Sequence, residues 1–129
     1  MEKKVLVVDD EAAIRKLLDK AFRKKGYTVV LAESAEEALE ILKDDYIQVM
    51  FLDLRLPGQN GIELCREIRK ANPIACIYAM TGYSSLFELS DCRDAGFDDY
   101  FIKPVDLDVF LNTAEDAFSK LERWKKKVP

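Results

Sequence analysis

Apolar residues along this chain follow two alternating patterns. Short continuous runs, such as VLVV at 5–8 and VMFL at 49–52, predict strands at 4–8, 28–32, 48–52, 75–80 and 100–102. Between them the apolar positions repeat at helical spacing. Ile14, Leu17, Leu18, Ala21 and Phe22 make one such stripe, and Ile62, Cys65 and Ile68 make another, stopped by Asn72-Pro73. In SAEEALEIL, Ser34 is followed three residues later by Glu37, a capping-box pattern ahead of Ala38, Leu39 and Leu42. A last helix is expected from about Leu107, with Phe110, Leu111, Ala114, Ala117, Phe118, Leu121 and Trp124 on one face.

Five strands alternating with five helices predict an α/β fold. The expected form is a doubly wound (βα)5 sandwich: a five-stranded parallel sheet of order 2-1-3-4-5, flavodoxin-like, with helices on both faces. Runs that are apolar throughout suit strands buried on both sides. In such sheets, ligands sit beyond the carboxyl ends of the strands. Those ends carry Asp9 and Asp10, Asp53, Thr81 and Lys103 in turn.

Three carboxylates on one edge repel each other and are costly to bury without a cation. All-oxygen donors favour Mg²⁺, with Mn²⁺ as the alternative. Beside such an ion, a carboxylate flanked by a lysine and a threonine can attack phosphorus and become an aspartyl phosphate. Lys103 would neutralise charge on the transferring group, and the Thr81 hydroxyl would then hydrogen-bond its oxygens. Asp53 is the better nucleophile because it stands alone, whereas Asp9 and Asp10 form a pair suited to holding an ion.

Composition narrows the alternatives. The 129 residues suffice for one domain with a core, and 49% hydrophobic with 34% charged residues fits a soluble globular protein. The absence of histidine removes the commonest zinc ligand and any histidine-based triad. Cys65, Cys76 and Cys92 are odd in number and lack C-x-x-C spacing, so buried free thiols in a reducing cytoplasm are expected. No stretch reads as a signal peptide or membrane span. The net charge of −4 argues against nucleic-acid binding, but it is uneven, with +4 over residues 119–129 and −8 over the rest.

The motifs VLVVDDE, FLDLRLPGQNG, AMTGY and DDYFIKPVD, in this order and at these strand ends, resemble the CheY-like receiver domain of two-component response regulators. The similarity spans residues 3 to about 121. It implies that Asp10 binds Mg²⁺ directly, Asp9 mainly through water, and that Asp53 and the backbone carbonyl of Arg55 complete the protein ligands. Asp53 is then the phosphoacceptor. The resemblance further implies that Thr81 swings toward the phosphoryl oxygens, and that Lys103 pairs with them ahead of a cis bond to Pro104. Tyr100 occupies the aromatic switch position and should turn when Thr81 moves. Arg55 and Tyr83, each two residues beyond a site residue, are large. They are expected to shield the acyl phosphate from water and lengthen its life.

The same resemblance implies a phosphorylation-dependent switch rather than a true enzyme, promoting only its own phosphorylation and dephosphorylation. Its donor would be a sensor histidine kinase, a phosphotransfer protein or a small acyl phosphate. The face formed by the last two helices and last strand would control an output partner or domain, with homodimerisation through those helices a further expectation. Residues 1–121 are expected to form the receiver unit. Residues 122–129 read equally as a basic helix end or as the start of a linker to an output domain.

Blander readings exist for each motif alone. Asp9 and Asp10 could cap a helix, Lys103-Pro104 and Thr81-Gly82 could be turns, and Tyr100 could be core. Leu86, Phe87 and Leu89 read as packing residues. Gly58 and Gly61 flank a turn. A haloacid-dehalogenase-type phosphatase would need D-x-D, but the chain has Asp53-Leu54-Arg55. A pseudo-receiver acting as a constitutive interaction module is the remaining alternative, and the complete set of five residues argues against it.

Overall fold

The computed structural model describes residues 2–82 and 85–127, without the side chain of Phe87. Five strands alternate with five helices: β1 Lys4–Val8, α1 Ala12–Lys24, β2 Thr28–Ala32, α2 Ala35–Asp44, β3 Val49–Asp53, α3 Gly61–Ala71, β4 Cys76–Thr81, α4 Leu86–Ala95, β5 Asp99–Ile102 and α5 Leu107–Lys126. The strands form one sheet of order β2-β1-β3-β4-β5, every neighbouring pair parallel. This is the architecture expected from the alternation of patterns.

Period-two alternation within each buried strand divides the core in two. Val5, Val7, Phe51, Tyr78 and Met80 face one side, where Leu18 and Phe22 of α1 and Phe110, Ala114, Ala117 and Leu121 of α5 cover them. Leu6, Val8, Met50, Leu52 and Ile77 face the other, under Ala35 and Ala38 of α2 and Leu64, Cys65 and Ile68 of α3. A smaller cluster of Leu54, Ala79 and Cys92 carries α4. All three cysteines are buried and free. Burial pushes the Cys65 thiol up to about 12 and that of Cys92 to about 11, so neither is a thiolate at neutral pH.

Three local expectations change. Asp53 and Thr81 lie inside their strands, because the ladder runs one residue past the apolar run: Asp53 is in register with Met80, and Thr81 with Ile102. Ser34 caps α2 by accepting from the Glu37 amide, whereas the complete capping box stands at Asn60 and Glu63, opening α3. Leu86 is 83% and Leu89 45% exposed, so these two do not pack as expected. Helix α4 is anchored on its other side by Cys92 and Ala95. The side chain of Phe87 lies outside the described residues.

Candidate functional site

Hydrogen bonding at the carboxyl edge places each chemical group. Beyond β1, the Asp9 amide donates to the Ala32 carbonyl at 3.1 Å, prolonging the ladder to an acid. Beyond β3, the Leu54 amide donates to Met80 at 3.0 Å, and beyond β5 the Lys103 amide donates to Thr81 at 2.7 Å. The turn after Asp53 returns so closely that a Cβ on Gly61 would collide with the Asp53 carbonyl oxygen and the Leu54 backbone. Gly61 therefore does more than flank a turn: it lets α3 begin directly against the Asp53 backbone. The Lys103–Pro104 peptide bond is cis, as the resemblance implied.

These ends bring Asp9, Asp10, Asp53 and Lys103 together. Asp9, Asp10, Glu11 and Asp53 each present a carboxylate oxygen within 4.8 Å of the others. Asp9, Asp53 and Thr81 are buried, while Asp10 and Glu11 are exposed. The Lys103 ammonium stands among the acids, 2.9 Å from Asp9 Oδ2, 3.0 Å from Glu11 Oε1 and 3.3 Å from Asp53 Oδ2. Burial alone would lower the Lys103 pKa. The Asp9 and Glu11 carboxylates beside it and the charge of Asp53 outweigh it and hold the ammonium above its ordinary value.

Asp53 shows the opposing case. Burial pushes its carboxyl up from 3.8 to about 6, against the Arg55 amide, which donates to Oδ1 at 3.1 Å. The Asp9 charge pushes it further up and Lys103 draws it down. A carboxylate so placed is ionised at neutral pH yet poorly hydrated, the condition in which it is most nucleophilic.

The donor set fits a divalent ion. Four carboxylates supply only oxygen, the preference of Mg²⁺. One of the buried oxygens, Asp9 Oδ2, has no partner in hydrogen-bonding geometry, since Lys103 lies close but off-line. A metal ion in the cluster would supply, beside Lys103, the coordination this oxygen lacks.

Tyr100 is half-buried beside the cluster of Leu54, Ala79 and Cys92, and its hydroxyl donates to Glu88 Oε1 at 3.2 Å. The other Glu88 oxygen meets the Arg55 guanidinium at 3.3 Å. Arg55, Glu88 and Asp10 also line a groove of about 520 Å³ along the acid edge. Tyr83 lies outside the described residues.

Sequence reasoning missed three residues here. Glu11 pairs with Lys103, Arg15 donates to the Asp9 carbonyl at 2.8 Å and meets Glu33 at 3.4 Å, and Glu88 joins Arg55 to Tyr100. Glu11 stood in the opening acidic motif. For Glu88 no local pattern existed, since its partners lie 33 and 12 residues away.

Known proteins resemble this chain in sequence and fold. The family model of the response regulator receiver domain matches residues 5–115. Response regulator MprA of Mycobacterium ulcerans (strain Agy99) is 38% identical over 111 residues, which are 86% of this chain and 48% of that protein. Sporulation initiation phosphotransferase F of Bacillus subtilis (strain 168) is 32% identical over 108 residues, 84% of this chain and 87% of the relative. Thus the chain spans about half the length of the MprA proteins it matches but most of the sporulation protein. Among solved structures, a CheY-like response regulator receiver domain protein from Methanospirillum hungatei JF-1 superposes with a TM-score of 0.87 at 30% identity, covering 99% of this chain and 100% of its own. From its sheet, its strand-end chemistry and these relatives together, the chain belongs to the response regulator receiver domain family.

Proposed function

We propose that this receiver domain is a switch that accepts a phosphoryl group on Asp53 in a Mg²⁺-dependent reaction. The observation that carries the reading is the convergence of buried Asp53 with Asp9, Asp10 and Lys103, four groups from three strand ends. In the transfer, an Asp53 oxygen forms a bond to phosphorus while the donor's bond to that phosphorus breaks and its electron pair leaves with the donor. Asp10, Asp53 and the Arg55 carbonyl would hold the ion directly, and Asp9 through water. Bound there, Mg²⁺ supplies charge neutralisation for the phosphoryl oxygens. Lys103 neutralises the same oxygens from the β5 end, and the hydroxyl of Thr81, which ends the neighbouring strand β4, binds one of them after transfer.

The donor is a sensor histidine kinase, a phosphotransfer protein or a small acyl phosphate, since the chain itself contains no histidine. Thr81 and Tyr100 carry the change to the face of α4, β5 and α5, where Leu86, Leu89 and Ile102 are exposed. That face is the site for an output partner or domain, and for pairing with a second copy. Arg55 and Tyr83 tune the lifetime of the acyl phosphate. Residues 1–121 form the switch, and 122–129 are its basic tail, either a helix end or the start of a linker to an output domain. Among the described residues no helix is long and apolar enough to cross a membrane, in keeping with a cytoplasmic role.

The test is intact-mass spectrometry after incubation with acetyl phosphate. Wild type is expected to gain one phosphoryl group with Mg²⁺ and none without, and Asp53→Asn to gain none. A wild type that never gains mass would overturn the reading in favour of a constitutive interaction module.

A further inference from the structure

A hollow of about 740 Å³ lies at the amino edge of the sheet, the end opposite the acids. Lys3 and Lys4 stand at the start of β1, Gln48 precedes β3 and Ile74 precedes β4, while the end of α5 closes the side. The wall is apolar and chiefly aromatic: Tyr46, Ile74, Phe118, Leu121 and Trp124. Folding leaves much of it in water. Tyr46 is 69%, Ile74 44% and Trp124 43% exposed, although covering such groups is favourable. Apolar side chains gathered around one concavity mark a binding surface, whereas singly scattered ones do not.

Size and charge select the occupant. A stable protein interface uses roughly 20–30 residues a side, whereas twelve described residues line this hollow. Its volume falls instead within the roughly 300–1,000 Å³ of small-molecule sites. At the rim, Lys4 is engaged by Asp45 and Glu2, and Glu2 also accepts from the Thr28 hydroxyl at 2.8 Å. Lys3, Lys125 and Lys127 then stand against Glu122, three cations to one acid. The Lys3 ammonium lies 5.9 Å from the centre of the Phe118 ring, so positive charge reaches the apolar wall itself. An aromatic molecule with one negative group meets both parts of this surface. Its rings pack on Tyr46, Phe118 and Trp124, and its anion is drawn to the lysines.

We propose that the hollow at the amino edge binds a small aromatic acid, a compact ring system carrying one carboxylate or sulfonate. The site does not involve Asp53, which ends β3 at the other edge of the sheet. A bound molecule would tie the end of α5 to the starts of β1, β3 and β4. It would therefore stabilise the folded chain by mass action.

The experiment is a fluorescence titration of the full chain with anilinonaphthalene sulfonate, an aromatic anion, and with phenylnaphthylamine, its uncharged counterpart. Trp124 is the only tryptophan of the chain, so energy transfer from it to the probe reports on this hollow. Wild type is expected to bind the anion saturably, one per chain, with a rising melting temperature. Ile74, Lys125 and Lys127 are exposed, so replacing them leaves the core intact. Lys125→Glu combined with Lys127→Glu should weaken the anion about three- to tenfold and leave the uncharged probe nearly unchanged. Ile74→Asp should weaken both probes, because a carboxylate there wets the wall and repels the anion. Equal weakening of both probes by the lysine reversals would overturn the acid as ligand. No saturable quenching of Trp124, or binding that Ile74→Asp leaves unaltered, would overturn the site. Sedimentation at the same concentrations addresses a second copy as occupant: a monomer is expected, and a dimer that Ile74→Asp dissociates would overturn the small ligand.

Discussion

Asp53 combines burial, at 4% exposed, with a charge that neutral pH maintains. Its carboxyl is raised from 3.8 to about 6, so the native state binds more protons than the unfolded chain between those values. Stability without added metal therefore falls as pH rises through that window, and the full penalty is present above about 6. At roughly 1.4 kcal/mol per pH unit, the penalty reaches about 3 kcal/mol, with the pull of Lys103 already counted in it. Asp53→Asn is accordingly expected to raise the melting temperature of metal-free protein at pH 7, with the gain shrinking toward pH 4. Thermal melts of both proteins across this range in chelator check it, and a gain that grew on acidification would contradict the burial argument. The placement of Asp9, Asp10, Asp53, Thr81 and Lys103 at the carboxyl edge was legible because each stands at the end of an apolar run, where the sheet rule points. Glu88 was not legible, because a bond between side chains 33 residues apart leaves no local pattern.

At the scale of elements, the turn from β3 into α3 is the most constrained connection. Asn60 and Glu63 satisfy each other's amides, and Gly61 allows the helix to start against the Asp53 backbone. Gly61→Ala should cost about 1–3 kcal/mol, since the colliding atoms are main chain and cannot move aside. Asn60→Ala should cost only about 1 kcal/mol, the usual worth of a cap. Urea unfolding of the two variants tests the ranking, and Gly61→Ala should also slow phosphorylation, because the Asp53 carbonyl must shift. Helix positions were readable from spacing alone. The status of Leu86 and Leu89 was not, because α4 is short and has apolar residues on more than one side. Only the fold decides that Cys92 and Ala95 face inward.

Across the whole molecule, an aromatic line crosses the α1/α5 side of the core. Phe51 lies 5.3 Å from Phe22, 5.1 Å from Tyr78 and 5.0 Å from Phe110, ring centre to ring centre. It joins the central strand to both covering helices. Phe51→Ala is therefore expected to lose about 3–5 kcal/mol in chemical unfolding, more than any substitution at the acid edge. A smaller loss would mean that α1 and α5 close over the gap.

Helix α5 starts at the edge that carries the acids and runs back along the sheet. Its end, with Trp124, Lys125 and Lys127, borders a hollow beside Lys3 and Lys4 at the start of β1. Residues 119–127 carry an excess of four positive charges at the end away from the acids, although Glu2 and Glu122 line the same hollow and Lys4 pairs with Asp45. An uneven charge distribution of this kind lets a charged surface exert a torque on the domain before any contact forms. A cationic partner surface would meet it acid edge first. The number of unproductive encounters would then depend on ionic strength, with Asp53 already facing the partner when the salt is low.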